Sequence, residues 1–170
     1  MVVPLALALG LIACDQGSRP ALEQYDAQIR WTSYGIPHVK ADDWGSLGFG
    51  FAYATARDAV CVIAKDVHMV KGNLSLYFGE SKQNLASDVF HRAILNDSKL
   101  RAFTAKQSER SNQMNAGYVA GYNRFLSDHK DSLPESCRGK TWVLPITESD
   151  LTRLAIGVGI RYGLGRFQQQ

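Results

Sequence analysis

What the 170-residue sequence lacks is a catalytic signature that works on its own. It has no G-x-S-x-G elbow, no H-E-x-x-H pair, no P-loop and no complete dinucleotide fingerprint. The stretch GFGFAYA follows no strand and lacks a third glycine, so it is not a nucleotide-binding turn. Lys and Arg never form a block longer than two, and the net charge is only +3. That excludes a phosphate-tracking surface, and nucleic acid with it. Cysteine is scarce: Cys14, Cys61 and Cys137 share no metal-type spacing, so no metal site is expected. The histidines His38, His68, His91 and His129 are scattered and read as structural or solvated. Arg57 and Asp58 read as an ion pair at a helix junction. No acid, base and nucleophile converge, so no catalytic residue and no cofactor is expected in this chain.

Composition permits an ordinary fold. Hydrophobic residues make up 45% and charged residues 21%, close to globular averages, in a chain long enough for one domain. The first residues differ from the rest. Val2 to Ala13 is almost purely apolar, the length of a signal-peptide core and too short for the roughly 20 residues a bilayer span needs. Leu11-Ile12-Ala13-Cys14 resembles the lipobox of bacterial lipoproteins, which implies lipidation at Cys14 after cleavage; no Lys or Arg precedes it. Residues 1–14 are therefore read as a signal peptide or lipoprotein leader, and 15–25, with Gly17 and Pro20, as a linker. Export, to the periplasm, is the expectation. Cys61 and Cys137 are then either bridged, as an oxidising compartment favours, or two independent buried thiols.

The remainder reads as mainly helical behind a small N-terminal β-hairpin. Gln28 to Tyr34 and Ile36 to Ala41 form the hairpin around Gly35, with Pro37 marking an edge strand. Asp42 or Asp43 caps a helical stretch read as two helices, broken near Ala56 to Asp58 and ending at Gly72. Glycines at 45, 48 and 50 weaken that stretch by roughly 1 kcal/mol each relative to Ala, which points to close contact with another backbone. Leu74 to Phe78 is an apolar turn within a loop. Short helices follow, capped by Ser87 or Asp88 and by Asp97. Met114, Tyr118, Tyr122 and Phe125 share one face of a longer helix. Thr147 with Asp150 opens the last helix in the manner of a capping box.

Three segments carry a family resemblance. YGIPHVKADDWGSLGFGFAYATARD, GNLSLYFGE and AGYVAGYNRFL resemble successive signatures of the α-chain in the penicillin acylase family of N-terminal-nucleophile hydrolases, and most of all its acyl-homoserine lactone acylase branch. The resemblance runs over about residues 26 to 167 and marks 26–170 as an acylase α-chain domain. It implies the α-chain of an αββα heterodimer, cut from the same precursor as a β-chain that carries the nucleophilic serine. It also implies a small-molecule acyl amide as substrate and a Cys61–Cys137 disulfide. Some members hold calcium; none is expected from this chain.

The resemblance further implies that the last helix lines the acyl pocket. By the DLTRLAIGVG match, the substrate-binding residues are Leu154, Gly157 and Val158, with Tyr162 one turn on. Relatives often place a long basic residue where Gly157 stands, so a roomier pocket is expected. Three functions follow: hydrolysis of N-acyl-homoserine lactones; hydrolysis of penicillins, cephalosporin precursors or lipopeptides; or, in another class, an exported lipoprotein that binds without catalysis.

Overall fold

The structure is a computed structural model and describes residues 25–163. The leader 1–14 with Cys14, the linker residues 15–24 and the last residues 164–170 lie outside it. In chain order the elements are β1 (Gln28–Trp31), β2 (Pro37–Lys40), α1 (Trp44–Val70), α2 (Leu74–Phe78), α3 (Lys82–Ile94), α4 (Asp97–Thr104), α5 (Glu109–Asp128) and α6 (Glu148–Tyr162).

The hairpin pairs antiparallel, Gln28 with Lys40 through to Trp31 with Pro37. Its strands are shorter than the sequence suggests because the turn takes Thr32 to Ile36. Thr32 receives the Gly35 amide on its carbonyl and the Ile36 amide on its hydroxyl, both at 3.0 Å. Gly35 has φ 78°, which a residue without a side chain reaches at no steric cost. The sheet rests on α1 at Gly50, where a methyl would lie 2.7 Å from both Ala27 and Val39.

α1 is one helix of 27 residues, where the sequence suggested two. Asp43 starts it, accepting from the Ser46 amide at 2.8 Å and the Ser46 hydroxyl at 2.7 Å. Nothing between Ala56 and Asp58 removes an amide hydrogen or demands another backbone conformation, so the ladder continues. The expected Arg57–Asp58 pair does not form, because adjacent helical residues point apart. The Arg57 guanidinium lies instead 4.0 Å over the centroid of the Trp31 ring.

α5 crosses α1 at backbone distance. A methyl on Gly48 would strike the carbonyl of Met114; on Gly117, that of Gly45; on Gly121, that of Phe49. The glycines that weaken each helix alone are those that let the two touch. Around this crossing lies the core: Ala52, Ala56, Val60, Val67, Tyr122, Phe125, Leu133, Cys137 and Ile146. Cys61 and Cys137 are bridged, with Cα atoms 5.6 Å apart, and this ties the segment after α5 to the middle of α1.

Two helix starts differ from expectation. α3 begins at Lys82, with Ser81 accepting from the Asn84 amide. Asp88 is therefore inside α3, and its carboxylate caps α2 instead, accepting from the amides of Leu74 (2.8 Å) and Ser75 (2.9 Å) and from the Ser75 hydroxyl (2.6 Å). α4 is capped by Asn96, one residue before Asp97. α6 opens on the Thr147–Asp150 capping box the sequence announces. His68 is buried; its Nε2–H donates to the Trp142 carbonyl at 2.7 Å, and its ring packs against Tyr77. His129 is not a loop residue in solvent but the C-cap of α5, its ring centroid 4.4 Å from that of Phe125.

Candidate functional site

α6 is held at both ends. Near its start, buried Asp150 completes the capping box and receives Lys71 Nζ at 3.0 Å, which fixes α6 to the end of α1. Near its end, Arg161 reaches Met69 Sδ at 3.3 Å. Between these points α6 passes close to α1 at Gly157, where a methyl would sit 2.9 Å from Val70 Cγ1.

This arrangement leaves a groove of about 460 Å³ between the last turns of α1, α3 and α6. Three of the four residues inferred from the sequence line it together: Leu154, Gly157 and Val158. Tyr162 does not; it is 67% exposed and lies outside the lining. Gly157 lines the groove and also brings α6 close to Val70 of α1.

The opposite wall was not read from the sequence. It comes from Phe90 and Ile94 of α3 and from Met69 of α1. Phe90 and Ile94 are spaced i, i+4 and so share a face. That spacing is visible in the sequence once α3 is known to be a full helix rather than a short one. Three charged or titratable groups line the groove: Asp66, His91 and Arg161. His91 Nδ1–H donates to the Ser87 carbonyl at 2.8 Å, which leaves Nε2 the acceptor of the neutral ring.

The lining contains no hydroxyl and no thiol. An apolar chain can be bound here; the lining offers no serine, threonine or cysteine to attack a carbonyl. A second groove of about 510 Å³, between α4 and the start of α6, is rimmed by Asp97, Arg101 and Glu148 and suits an apolar ligand less well. Among the described residues no three His, Cys, Asp or Glu side chains are grouped as metal ligands would be.

The signature of the penicillin amidase family matches residues 26–162. The chain belongs to that family. Its relatives there include an acyl-homoserine lactone acylase PvdQ of Pseudomonas putida, 38% identical over 95% of this chain and 22% of the relative. The aculeacin-A acylase of Actinoplanes utahensis is 39% identical over 83% of this chain and 19% of the relative. This penicillin amidase domain thus spans about a fifth of the length of these curated relatives. Among solved structures, the thermostable penicillin G acylase of Alcaligenes faecalis superposes with a TM-score of 0.71 at 22% identity, over 82% of this chain and 75% of that chain. The fold is therefore that of an acylase chain, mostly helical with a small two-stranded sheet.

Proposed function

We propose that this chain is the α-chain of a heterodimeric acylase that hydrolyses the amide bond of N-acyl-homoserine lactones. The products are a fatty acid and homoserine lactone, so a bacterial signal would be silenced. The observation that carries the reading is an apolar groove, in a penicillin amidase family chain, with no hydroxyl or thiol nucleophile in its lining. Six relatives at 36–40% identity bear the name acyl-homoserine lactone acylase. The solved chain of the same fold is of comparable length to this one, while the curated relatives are about five times longer.

In this reading the β-chain, from the same precursor, begins with a serine whose hydroxyl attacks the amide carbonyl. Its own α-amine takes the proton and returns it to the departing amine, and water then releases the acid. Backbone N–H groups of the β-chain stabilise the oxyanion. The α-chain contributes the acyl wall through Leu154, Val158, Phe90 and Ile94. The enzyme is exported to the periplasm, with Cys14 as a lipid anchor where the leader is processed that way.

The relative named aculeacin-A acylase favours a second reading, in which the same groove receives the acyl group of a lipopeptide or a penicillin. A panel of acyl-lactones, acylated peptides and β-lactams, scored for released amine with the assembled enzyme, separates the two. Highest kcat/KM on the acyl-lactones supports the first reading; turnover restricted to the other amides replaces it with the second.

A further inference from the structure

A third groove lies between the hairpin, the middle of α1, the end of α5 and the segment after it. Its volume is about 470 Å³, within the roughly 300–1,000 Å³ of small-molecule sites. Its apolar wall is Ile29, Trp31, Phe125, Leu133 and Pro134. Its polar wall is Arg57, Arg138, His129, Ser132 and Tyr53, of which the last three hydrogen-bond one another and Asp128.

The charges do not balance within the groove. No carboxylate lines it. Among the described residues neither Arg57 nor Arg138 takes part in a salt bridge. The carboxylate of Asp128, outside the lining, is engaged by Arg124 Nε at 2.8 Å and by the groove's own Tyr53 hydroxyl at 3.1 Å. Both arginines are oriented. Arg57 lies on Trp31, and Arg138 Nε donates to the Leu133 carbonyl at 2.8 Å, which leaves its terminal nitrogens free. Two held guanidiniums beside an aromatic and aliphatic wall match a group that is anionic at one end and apolar at the other.

We infer that this groove binds a free apolar monocarboxylate, its carboxylate between Arg57 and Arg138 and its hydrocarbon part against Trp31, Ile29 and Leu133. The inference does not rest on the acylase reading. Octanoate is the probe, titrated into the full-length protein, with 1-octanol as the uncharged control. The signal is the part of the tryptophan fluorescence change that Trp31→Phe removes, which separates this groove from any other acid-binding site. Saturable, salt-sensitive binding is expected, weakened about tenfold by Arg57→Gln and by Arg138→Gln, each removing one charge-assisted hydrogen-bonding partner. Both arginines are exposed, and Arg138→Gln, which leaves the Arg57–Trp31 contact in place, keeps the test open if Arg57→Gln misfolds. A titration with no Trp31-dependent change, or equal affinity in wild type and Arg138→Gln, overturns the inference.

Discussion

Gly117 of α5 faces the backbone carbonyl of Gly45 of α1 so closely that a methyl on Gly117 would occupy the place of that oxygen. The central crossing of the fold is thus made between backbones. A carbonyl fixed in a helix cannot swing aside as a side-chain tip can. Gly117→Ala should therefore cost on the order of 3 kcal/mol, as overpacking against a rigid neighbour does. Gly159 provides the contrast, since it is exposed in α6 with nothing near its missing side chain. Gly159→Ala should stabilise by about 0.5–1 kcal/mol through helix propensity alone. Urea melts of the two variants, compared by midpoint at equal slope, check both.

The Cys61–Cys137 bridge closes a loop of 76 residues. In the chain-entropy model a loop of that length is worth about 4 kcal/mol. Replacing both cysteines with alanine should lower stability by about 2–4 kcal/mol. Wild-type protein treated with a reductant should melt like the variant; an unchanged midpoint on reduction contradicts the structural role of the bridge.

Asp88 makes stability depend on pH. Burial alone raises its carboxyl pKa, but the Ser75 hydroxyl, the Ser75 and Leu74 amides and Arg92 outweigh burial and hold it below the usual carboxylate range. A folded pKa below the unfolded one means stability that is present above the unfolded pKa and lost as pH falls through the folded one. Stability should fall in acid below about pH 4, and Asp88→Asn should flatten that part of the curve. Asp88→Ala, which orphans two amides at the start of α2, should cost about 1–3 kcal/mol near neutral pH. Melting points from pH 2 to 7 for wild type and Asp88→Asn provide the check.

Val158 and Phe90 face one groove from opposite sides. Val158→Trp should fill it and shift the preference of the assembled enzyme toward short acyl chains by roughly 10- to 200-fold in relative kcat/KM, the scale of hydrophobic pocket discrimination. Phe90→Ala should shift it toward long chains. An unchanged ratio in both variants removes the acyl-wall assignment while leaving the fold intact.

Much of this was legible in the residues. The hairpin at Gly35, the Thr147–Asp150 start of α6, the apolar stripe of α5 and the meaning of the clustered glycines follow from local rules of turns, caps and close approach. The Leu154–Val158 side of the groove came from resemblance and helical spacing. The long range was not legible. The sequence suggests Asp58 as the partner of Arg57, because Trp31, 26 positions earlier, is brought beside it only by the fold. Asp88 looks in the sequence like a cap of its own helix, because its true partners begin 14 residues before it. The nearness of Val70 to Gly157 is set only by the packing of α6 on α1.

The central proposal is that these residues form a wall of a hydrolase whose nucleophile would be carried by a β-chain from the same precursor. The most direct measurement is amine release from a long-chain N-acyl-homoserine lactone, by the purified chain alone and by the chain co-produced with the proposed β-chain. The account predicts no release above buffer in the first case and steady turnover in the second. Hydrolysis by the isolated chain, or an inactive assembled pair, would contradict it.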